Sequence, residues 1–451
     1  MESFGAAPSG CCVAIYQRFQ CFSDFMNVPS CVFGSPGRYC RTPLAALLVV
    51  GFAAAPSWVR AEIPIETLKG LHPYATVAVA YDSNPLRRSD DASEVLVDAQ
   101  ANAGGELAAV PSALDRPESD VYTTLAAGFD TRIELGRQNL FLNARIYQVL
   151  YDRLDEYDNT GGDAAIRWQW VAGSLWGGDL GYTFVRRQRD FANESVPTND
   201  MSNRNRVYAT ANRQLSPRWR LGGLANLATT AFDESSNLNL TLFGVGVNLD
   251  YVSLAGSIFG VETLYSEGHY WNVEDRDYAQ VSIGPTAEWR PTVKTLIKGN
   301  IAYEIFKHDV FSDRDFEGLV GRLRATWQIT GKTSVVALVR RDFSNLDDES
   351  ANFAIVDSIS VEPNWKITTK TTLRALASFQ RQDYQSFQSS DLVSEGDAQV
   401  DEVTTVGIWC DWRWKTNVAL SVGYTMGSRE STRLLKDYDF QNVQLALTIG
   451  L

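Results

Sequence analysis

Apolar and polar residues alternate one by one along much of the chain. The last ten residues read NVQLALTIGL, and every second residue from Val443 to Leu451 is apolar. The segment GLVGRLRATWQI, which begins at Gly318, has the same alternation, with Arg322 and Arg324 on its polar side. A period of two is typical of β-strands that have one apolar and one polar face. Long helical periodicity is lacking, so the pattern predicts an all-β protein.

Short turn signals interrupt the strands at regular intervals. WQITGKTSVVAL begins at Trp327 and WKITTKTTLRAL at Trp365, and each carries such a turn before its second alternating segment. Eight signals of this kind occur roughly 40 residues apart. They lie near Arg137, Ser174, Pro217, Ala255, Thr292, Gly331, Thr369 and Lys415. Longer polar stretches such as YDRLDEYDNTGG separate them, so each unit is predicted to be a hairpin followed by a long, mostly acidic loop.

The strand count indicates how the hairpins are assembled. One strand near Tyr74–Tyr81, eight hairpins and a last strand ending at Leu451 give about 18 strands. All short turns then lie at one end of the strands and all long loops at the other. A two-layer sandwich does not need this asymmetry, whereas a transmembrane antiparallel up-and-down β-barrel has it. Closure into a barrel also removes the unpaired edges of the sheet.

Aromatic residues near the predicted turns agree with a membrane barrel. Tyr and Trp prefer the headgroup level of a membrane, where one end of the side chain is in an apolar environment and the other in water. The tryptophans close to short turns are Trp168, Trp170, Trp176, Trp219, Trp289, Trp327, Trp365, Trp412 and Trp414. The alternative is that they are core aromatics of a soluble β protein. We expect an outer-membrane location with the long loops outside the cell.

Composition and cysteine placement exclude several other classes. The formal net charge is −13, whereas nucleic-acid-binding domains are usually basic. Cys410 is the only cysteine in the main body, so neither a disulfide framework nor a cysteine metal site is predicted there. The three histidines, His72, His269 and His308, are too few for a histidine-rich metal site. We predict no metal, no cofactor and no nucleic-acid partner.

The N-terminal region has the features of an export signal. Arg38 and Arg41 precede the apolar run PLAALLVVGFAAA, and small residues before Glu62 offer a cleavage site. The apolar run is short for a membrane span of about 20 residues. We therefore expect residues 1–61 to comprise a cleaved signal peptide with an over-long N-terminal extension, and residues 62–451 to form the barrel.

The first predicted strand and its exit carry a family resemblance. The segment HPYATVAVAYDSNPLRR and the tandem hairpins after it resemble the EpsL-type outer-membrane β-barrel porins of exosortase-linked exopolysaccharide biosynthesis. The resemblance extends from about His72 to the C-terminus. Unlike such barrels, which usually end in an aromatic residue, this chain ends in Leu451. The resemblance implies a passive component of exopolysaccharide biosynthesis or export, with outer-membrane lipids, the polysaccharide and its export machinery as partners.

No catalytic group is predicted. Asp309 follows His308, but adjacent residues on a strand point to opposite faces, so the two cannot act together without a bend. His269 has no nucleophile near it in the sequence. The GKT tripeptide at Gly331 lacks the upstream glycine of a phosphate-binding loop and lies between two strands. We predict a protein that is not an enzyme.

Charged residues on the polar face are the candidate functional residues. A cation on the lipid face costs about 2–4 kcal/mol at mid-bilayer, so strand cations with apolar or glycine neighbours are expected to face the lumen. Glu304 is added to this set although its position in the alternation is less clear. The candidate lumen-lining residues are Arg145, Arg167, Lys298, Glu304, Arg322, Arg324, Arg374 and Arg413. They either pass anionic or polar sugars or form ion pairs that brace the barrel.

Three functions remain open from the sequence. The first is the exopolysaccharide role that the resemblance implies. The second is a general diffusion porin for small polar solutes. The third is an adhesin or assembly scaffold that acts through its loops. A channel of the first two kinds conducts ions in a planar bilayer, whereas a scaffold with a filled lumen does not.

Overall fold

The computed structural model describes residues 70–89, 119–193, 197–273, 276–310, 315–344, 353–385, 399–433 and 436–450. These residues form eighteen strands in a single antiparallel sheet. The strands are β1 His72–Asp82, β2 Asp120–Leu135, β3 Gln138–Tyr151, β4 Asn159–Ala172, β5 Trp176–Gln188, β6 Met201–Gln214, β7 Trp219–Phe232, β8 Leu240–Val252, β9 Ile258–Tyr270, β10 Tyr278–Thr292, β11 Thr295–His308, β12 Phe316–Gln328, β13 Thr333–Ser344, β14 Phe353–Lys366, β15 Thr371–Gln385, β16 Val400–Lys415, β17 Val418–Ser431 and β18 Tyr438–Gly450. The remaining regular elements of the described residues are three short 3-10 turns in loops, at Asp155–Tyr157, Phe191–Asn193 and Ser236–Leu238.

The sheet closes on itself. Each strand pairs with its neighbours in the chain, and β1 pairs with both β2 and β18. The closing ladder runs from Tyr74 opposite Gly450 to Asp82 opposite Asn442. Because every strand has two partners, the backbone amide and carbonyl groups are satisfied within the sheet, as a lipid environment requires. The prediction of an antiparallel up-and-down barrel of about 18 strands is confirmed.

The two faces of the wall differ in chemistry. On β1 the exposed residues are Val77, Val79 and Tyr81, and the residues between them are buried. Their partners Leu447 and Leu445 on β18 are also exposed and apolar. The same alternation continues around the barrel, so the apolar face points outward and the mostly polar face points into the lumen. Barrels of 16–18 strands are wide enough to leave an aqueous channel.

All eight predicted short turns lie at one end of the barrel. They join the hairpins from β2–β3 to β16–β17, and several are two to four residues long. Gly136 and Gly173 adopt φ values of 63° and 62° in two of these turns, a conformation that favours glycine. Exposed tryptophans, among them Trp168, Trp289 and Trp365, lie close to these turns and form a belt on the outer face. We call the two ends of the barrel the short-turn end and the long-loop end.

The described residues do not reach the proposed signal peptide. Residues 1–61 and the terminal Leu451 lie outside them, so the cleavage site stays a prediction. Among the described residues no helix is long and apolar enough to cross a bilayer.

Candidate functional site

The strand register places the candidate lumen residues on the inward face. Arg145 is opposite Asp163, and Lys298 is opposite Arg324. The outward positions beside them are apolar, for example the exposed Ile146 and Leu323. Arg167, Arg322, Arg374 and Arg413 occupy equivalent inward positions on β4, β12, β15 and β16. Glu304 also points inward, but it is only 6% exposed and presents little surface to a solute. Whether solutes contact these side chains stays a prediction.

On the wall formed by β3, β4 and β5, two arginines each have an aspartate. Arg145 lies 2.8 Å from Asp163, and Arg167 lies 3.9 Å from Asp179. The Arg167 guanidinium is also 4.3 Å from the centre of the Phe141 ring. These pairs correspond to the bracing role that the sequence left open, because each positive charge is neutralised within the wall.

On the wall formed by β11, β12 and β13, four cations lie close together. Lys298 is opposite Arg324, and Arg322 is opposite Arg340. The ion pairs formed by the four are Lys298–Glu288 at 2.7 Å, Arg322–Asp342 at 3.6 Å and Arg340–Asp342 at 3.1 Å. Arg324 forms no ion pair with any residue that the structure describes. We call Lys298, Arg322, Arg324 and Arg340 the basic patch.

Arg374 has a carboxylate partner, whereas Arg413 has none among the described residues. Arg374 makes two hydrogen bonds to the carboxylate of Asp411, at 2.6 and 3.1 Å, and Ser421 donates a third to it at 2.7 Å. Arg413 is on the same strand as Asp411, nearer the short-turn end, and has no ion pair within the described part of the chain. Of the seven cationic candidates, Arg324 and Arg413 are therefore the two without an ion pair to a described residue.

The sequence analysis missed Arg340 and Asp342. The segment TSVVALVRRDFS contains two adjacent arginines, and a period of two does not tell which of them faces the lumen. The register resolves this, because Arg340 pairs with the inward Arg322 and Arg341 pairs with the outward Gly321. Arg340 thus belongs to the basic patch, whereas Arg341 lies on the lipid face.

Loops narrow the mouth at the long-loop end. Leu86, Leu154, Tyr157 and Phe191, from the loops after β1, β3 and β5, form a buried apolar cluster. The Tyr157 hydroxyl donates to the Pro197 carbonyl at 3.2 Å, which joins two of these loops. These contacts cover one side of the opening with packed side chains.

One buried cation attaches this loop cluster to a distant part of the wall. Arg429 of β17 donates to the backbone carbonyl of Ala192, in the loop after β5, and forms an ion pair with Asp401 of β16. Five strands, β18 and β1 to β4, lie between β17 and β5 around the sheet. The loop that contains Ala192 therefore extends well across the mouth. Arg429 and Asp401 are 4% and 0% exposed, so this is a structural pair that solutes do not reach.

His269 of β9 has a carboxylate partner in the described structure. The residue faces outward beside the exposed Glu267, and its Nδ1 contacts the carboxylate of Asp277, a contact that the sequence did not predict. Over the described ranges no cluster of three His, Cys, Asp or Glu side chains is arranged to hold a metal ion.

Comparisons with known proteins find a similarity to porins. Residues 314–450, which contain β12 to β18, match a family model described as "Putative beta-barrel porin 2". No curated protein matches the chain. The crystal structure of Pseudomonas aeruginosa OccK2 (OpdF) in complex with glucuronate is similar over 85% of this chain and 99% of that chain, with 8% identity and a TM-score of 0.46. P. aeruginosa OccK9 (OpdG) covers 85% of this chain and 100% of its own, with 10% identity and a TM-score of 0.46. Acinetobacter baumannii OccAB3 covers 84% and 99%, with 7% identity and a TM-score of 0.44.

The closed sheet, the outward apolar face and the tryptophan belt agree with the family match over the last seven strands. These are the features of a barrel that crosses a membrane with a polar interior. The chain is a porin-like β-barrel, consistent with an outer-membrane location.

Proposed function

We propose that this barrel is an outer-membrane channel for small polar solutes that favours anions. The basic patch carries the proposal, because it places four cations on three neighbouring strands, and one of them, Arg324, has no ion pair with a described residue while the others pair with Glu288 or Asp342. Positive charge in a narrow aqueous lumen raises the local concentration of anions. The acidic loops act in the opposite direction, so the lining has to outweigh them.

Reversal potentials in a salt gradient across a planar bilayer test the proposal. The wild-type barrel is expected to conduct and to prefer anions. Replacing Arg322 and Arg324 with Gln removes two charges, each worth about 0.7 kcal/mol at a separation of about 6 Å in water. The anion-to-cation permeability ratio should then fall about tenfold. Heat-modified gel mobility confirms that the variant is folded, and a barrel that does not conduct in either form contradicts the channel function.

We retain the exopolysaccharide role as the second candidate, on the resemblance of the HPYATVAVAYDSNPLRR segment alone. The match to a porin family supports a general channel better than a role in polysaccharide export. An acidic oligosaccharide added to one side of the bilayer separates the two. Reversible blockade of the ion current at micromolar concentration supports a saccharide pathway, whereas an unchanged current leaves the general channel.

A further inference from the structure

The lipid-facing side of the barrel contains a large apolar hollow. It lies outside β10, β11 and β12 and has a volume of about 1000 Å³. The outer surface is recessed there because the outward residues are small, namely Pro285, Ala287, Gly299 and Gly321. A Cβ atom at Gly299 would lie 2.7 Å from the Arg322 carbonyl oxygen, so that position cannot hold a larger side chain without a shift of the backbone.

The hollow ends at an arginine on its rim. It extends from Trp289, in the tryptophan belt, toward Arg341 nearer the long-loop end. Arg341 is 3.6 Å from Asp357, and their side chains are 53% and 43% exposed. The Arg341 guanidinium makes no hydrogen bond to a described residue, although a guanidinium has five N–H donors. Arg381, also on the rim, contacts Asp383 at 3.4 Å and Glu402 at 3.3 Å among the described residues.

A second outward arginine shows what a satisfied lipid-facing guanidinium looks like. Arg186 of β5 is opposite Gly162 at the long-loop end, beside the exposed Ile146. It donates to Asn203 at 2.8 Å and to Asp233 at 2.7 and 3.3 Å. An arginine facing lipid is costly unless its donors are satisfied, and Arg341, unlike Arg186, has donors that no described residue satisfies with a hydrogen bond.

We infer that this surface binds a phosphorylated, multiply acylated glycolipid of the outer leaflet. Its acyl chains fill the hollow, and its phosphate accepts hydrogen bonds from Arg341 and, at greater distance, from Arg381. Guanidinium–phosphate hydrogen bonds are strong and directional, and the exposed Arg341 guanidinium has N–H donors left over beside its 3.6 Å ion pair with Asp357. The hollow is lined by residues from β9 to β15, so it is wide enough for several chains rather than one. This inference concerns the outer face and is independent of the proposed channel.

Native mass spectrometry of the purified full-length barrel in detergent tests the site. The probes are a bis-phosphorylated acylated disaccharide lipid and the same lipid without its phosphates. The wild-type protein should retain one phosphorylated lipid and bind the dephosphorylated lipid about tenfold more weakly. Arg341→Gln should weaken binding of the phosphorylated lipid by a similar factor, and Arg341→Lys should restore most of it.

Matched variants test whether the lipid binds in the hollow and not elsewhere on the barrel. Ala287→Trp fills the hollow and should abolish retention of the lipid. Ala225→Trp fills another outward hollow, of about 620 Å³, that has no lipid-facing arginine on its rim, and should leave binding unchanged. Arg186→Gln should also leave it unchanged, because the donors of Arg186 are already satisfied. Each variant is checked for heat-modified mobility before binding is measured.

Three results would overturn the inference. The first is equal retention of the phosphorylated and dephosphorylated lipids, and the second is wild-type binding in Arg341→Gln. The third is a dimer in lipid-free detergent that Ala287→Trp dissociates, because the hollow is then a contact between two copies. Ion selectivity in planar bilayers should be the same in Arg341→Gln and wild type, so failure of this inference is distinguishable from failure of the channel.

Discussion

Two parts of the lumen wall use arginine differently. On β3, β4 and β5 the residues Arg145 and Arg167 each have a cross-strand aspartate. On β11, β12 and β13 three cations of the basic patch pair with Glu288 or Asp342, and the fourth, Arg324, has no ion pair in the described residues. The first arrangement is locally neutral and braces adjacent strands. The second leaves an excess of positive charge on the inward face of the wall.

This comparison shows that an inward-facing arginine is not assigned a role by its residue type alone. The same residue type is neutralised in one wall and leaves an excess of positive charge in the other. The role of each arginine depends on whether a carboxylate lies within reach on a neighbouring strand, either directly opposite, as Asp163 is to Arg145, or offset along the ladder, as Asp179 is from Arg167. Arg145 is opposite an aspartate, whereas Arg324 has Lys298 on one side and Leu338 on the other. The local excess of charge therefore depends on the pairing of strands, which brings together residues that are distant in the chain.

The largest effect is expected where an ion pair is fully buried. Arg429→Gln leaves the fully buried Asp401 without its cation, and breaking a pair of this kind costs about 3–5 kcal/mol. Urea unfolding in lipid vesicles measures the loss of stability. The variant Arg429→Lys keeps the charge and should lose less. An unchanged free energy of unfolding would show that this buried pair does not stabilise the barrel.

Reversing the unpaired charge is expected to change selectivity by the next largest amount. Arg324→Glu changes the lining by two charges and should lower the anion-to-cation permeability ratio about tenfold, since each charge contributes about 0.7 kcal/mol. Arg324→Gln should give about half that free-energy change, or a factor of about three. Reversal potentials measure both. Equal ratios in all three proteins would mean that Arg324 does not line the conducting path.

A new carboxylate should make the basic patch resemble the paired wall. Leu338 is directly opposite Arg324, so Leu338→Glu places a carboxylate where Arg145 has Asp163. One charge is neutralised, and the permeability ratio should fall about threefold. The matched control is Leu338→Gln, which removes the same apolar side chain without adding charge and should have little effect. If both variants change the permeability ratio equally, neutralisation of charge is not the cause of that change.

The smallest effect is expected from removing a whole ion pair in the neutral wall. The double variant Arg145→Gln, Asp163→Asn leaves the net charge of the lumen unchanged, so the permeability ratio should stay the same. Both side chains are partly exposed to water, so the loss of stability should be about 1 kcal/mol or less. Reversal potentials and urea unfolding are measured on the same preparation. A large shift in selectivity here would remove the distinction between the two walls.

The sequence by itself determined the barrel. Alternation with a period of two predicted strands, and the eight turn signals predicted the hairpins near the positions where β2 to β17 turn. This succeeded because a strand in a membrane wall has lipid on one side and water on the other, so each residue's polarity records its face. The same argument placed Arg322 and Arg324 on the inward side without knowledge of their neighbours.

The tertiary structure decided which residues pair across the lumen wall, which loop reaches across the mouth, and where the hollow on the outer face forms. Alternation cannot assign Arg340 and Arg341, which are adjacent, and only the register with Arg322 and Gly321 does so. The contact of Arg429 with Ala192 joins residues 237 positions apart and depends on the path of a loop that has no periodic pattern. The hollow beside Arg341 likewise arises because small residues of β10, β11 and β12 become neighbours. Periodicity reports which side of a strand a residue occupies, whereas its partner is set by ladder register and loop packing, which are properties of the closed barrel.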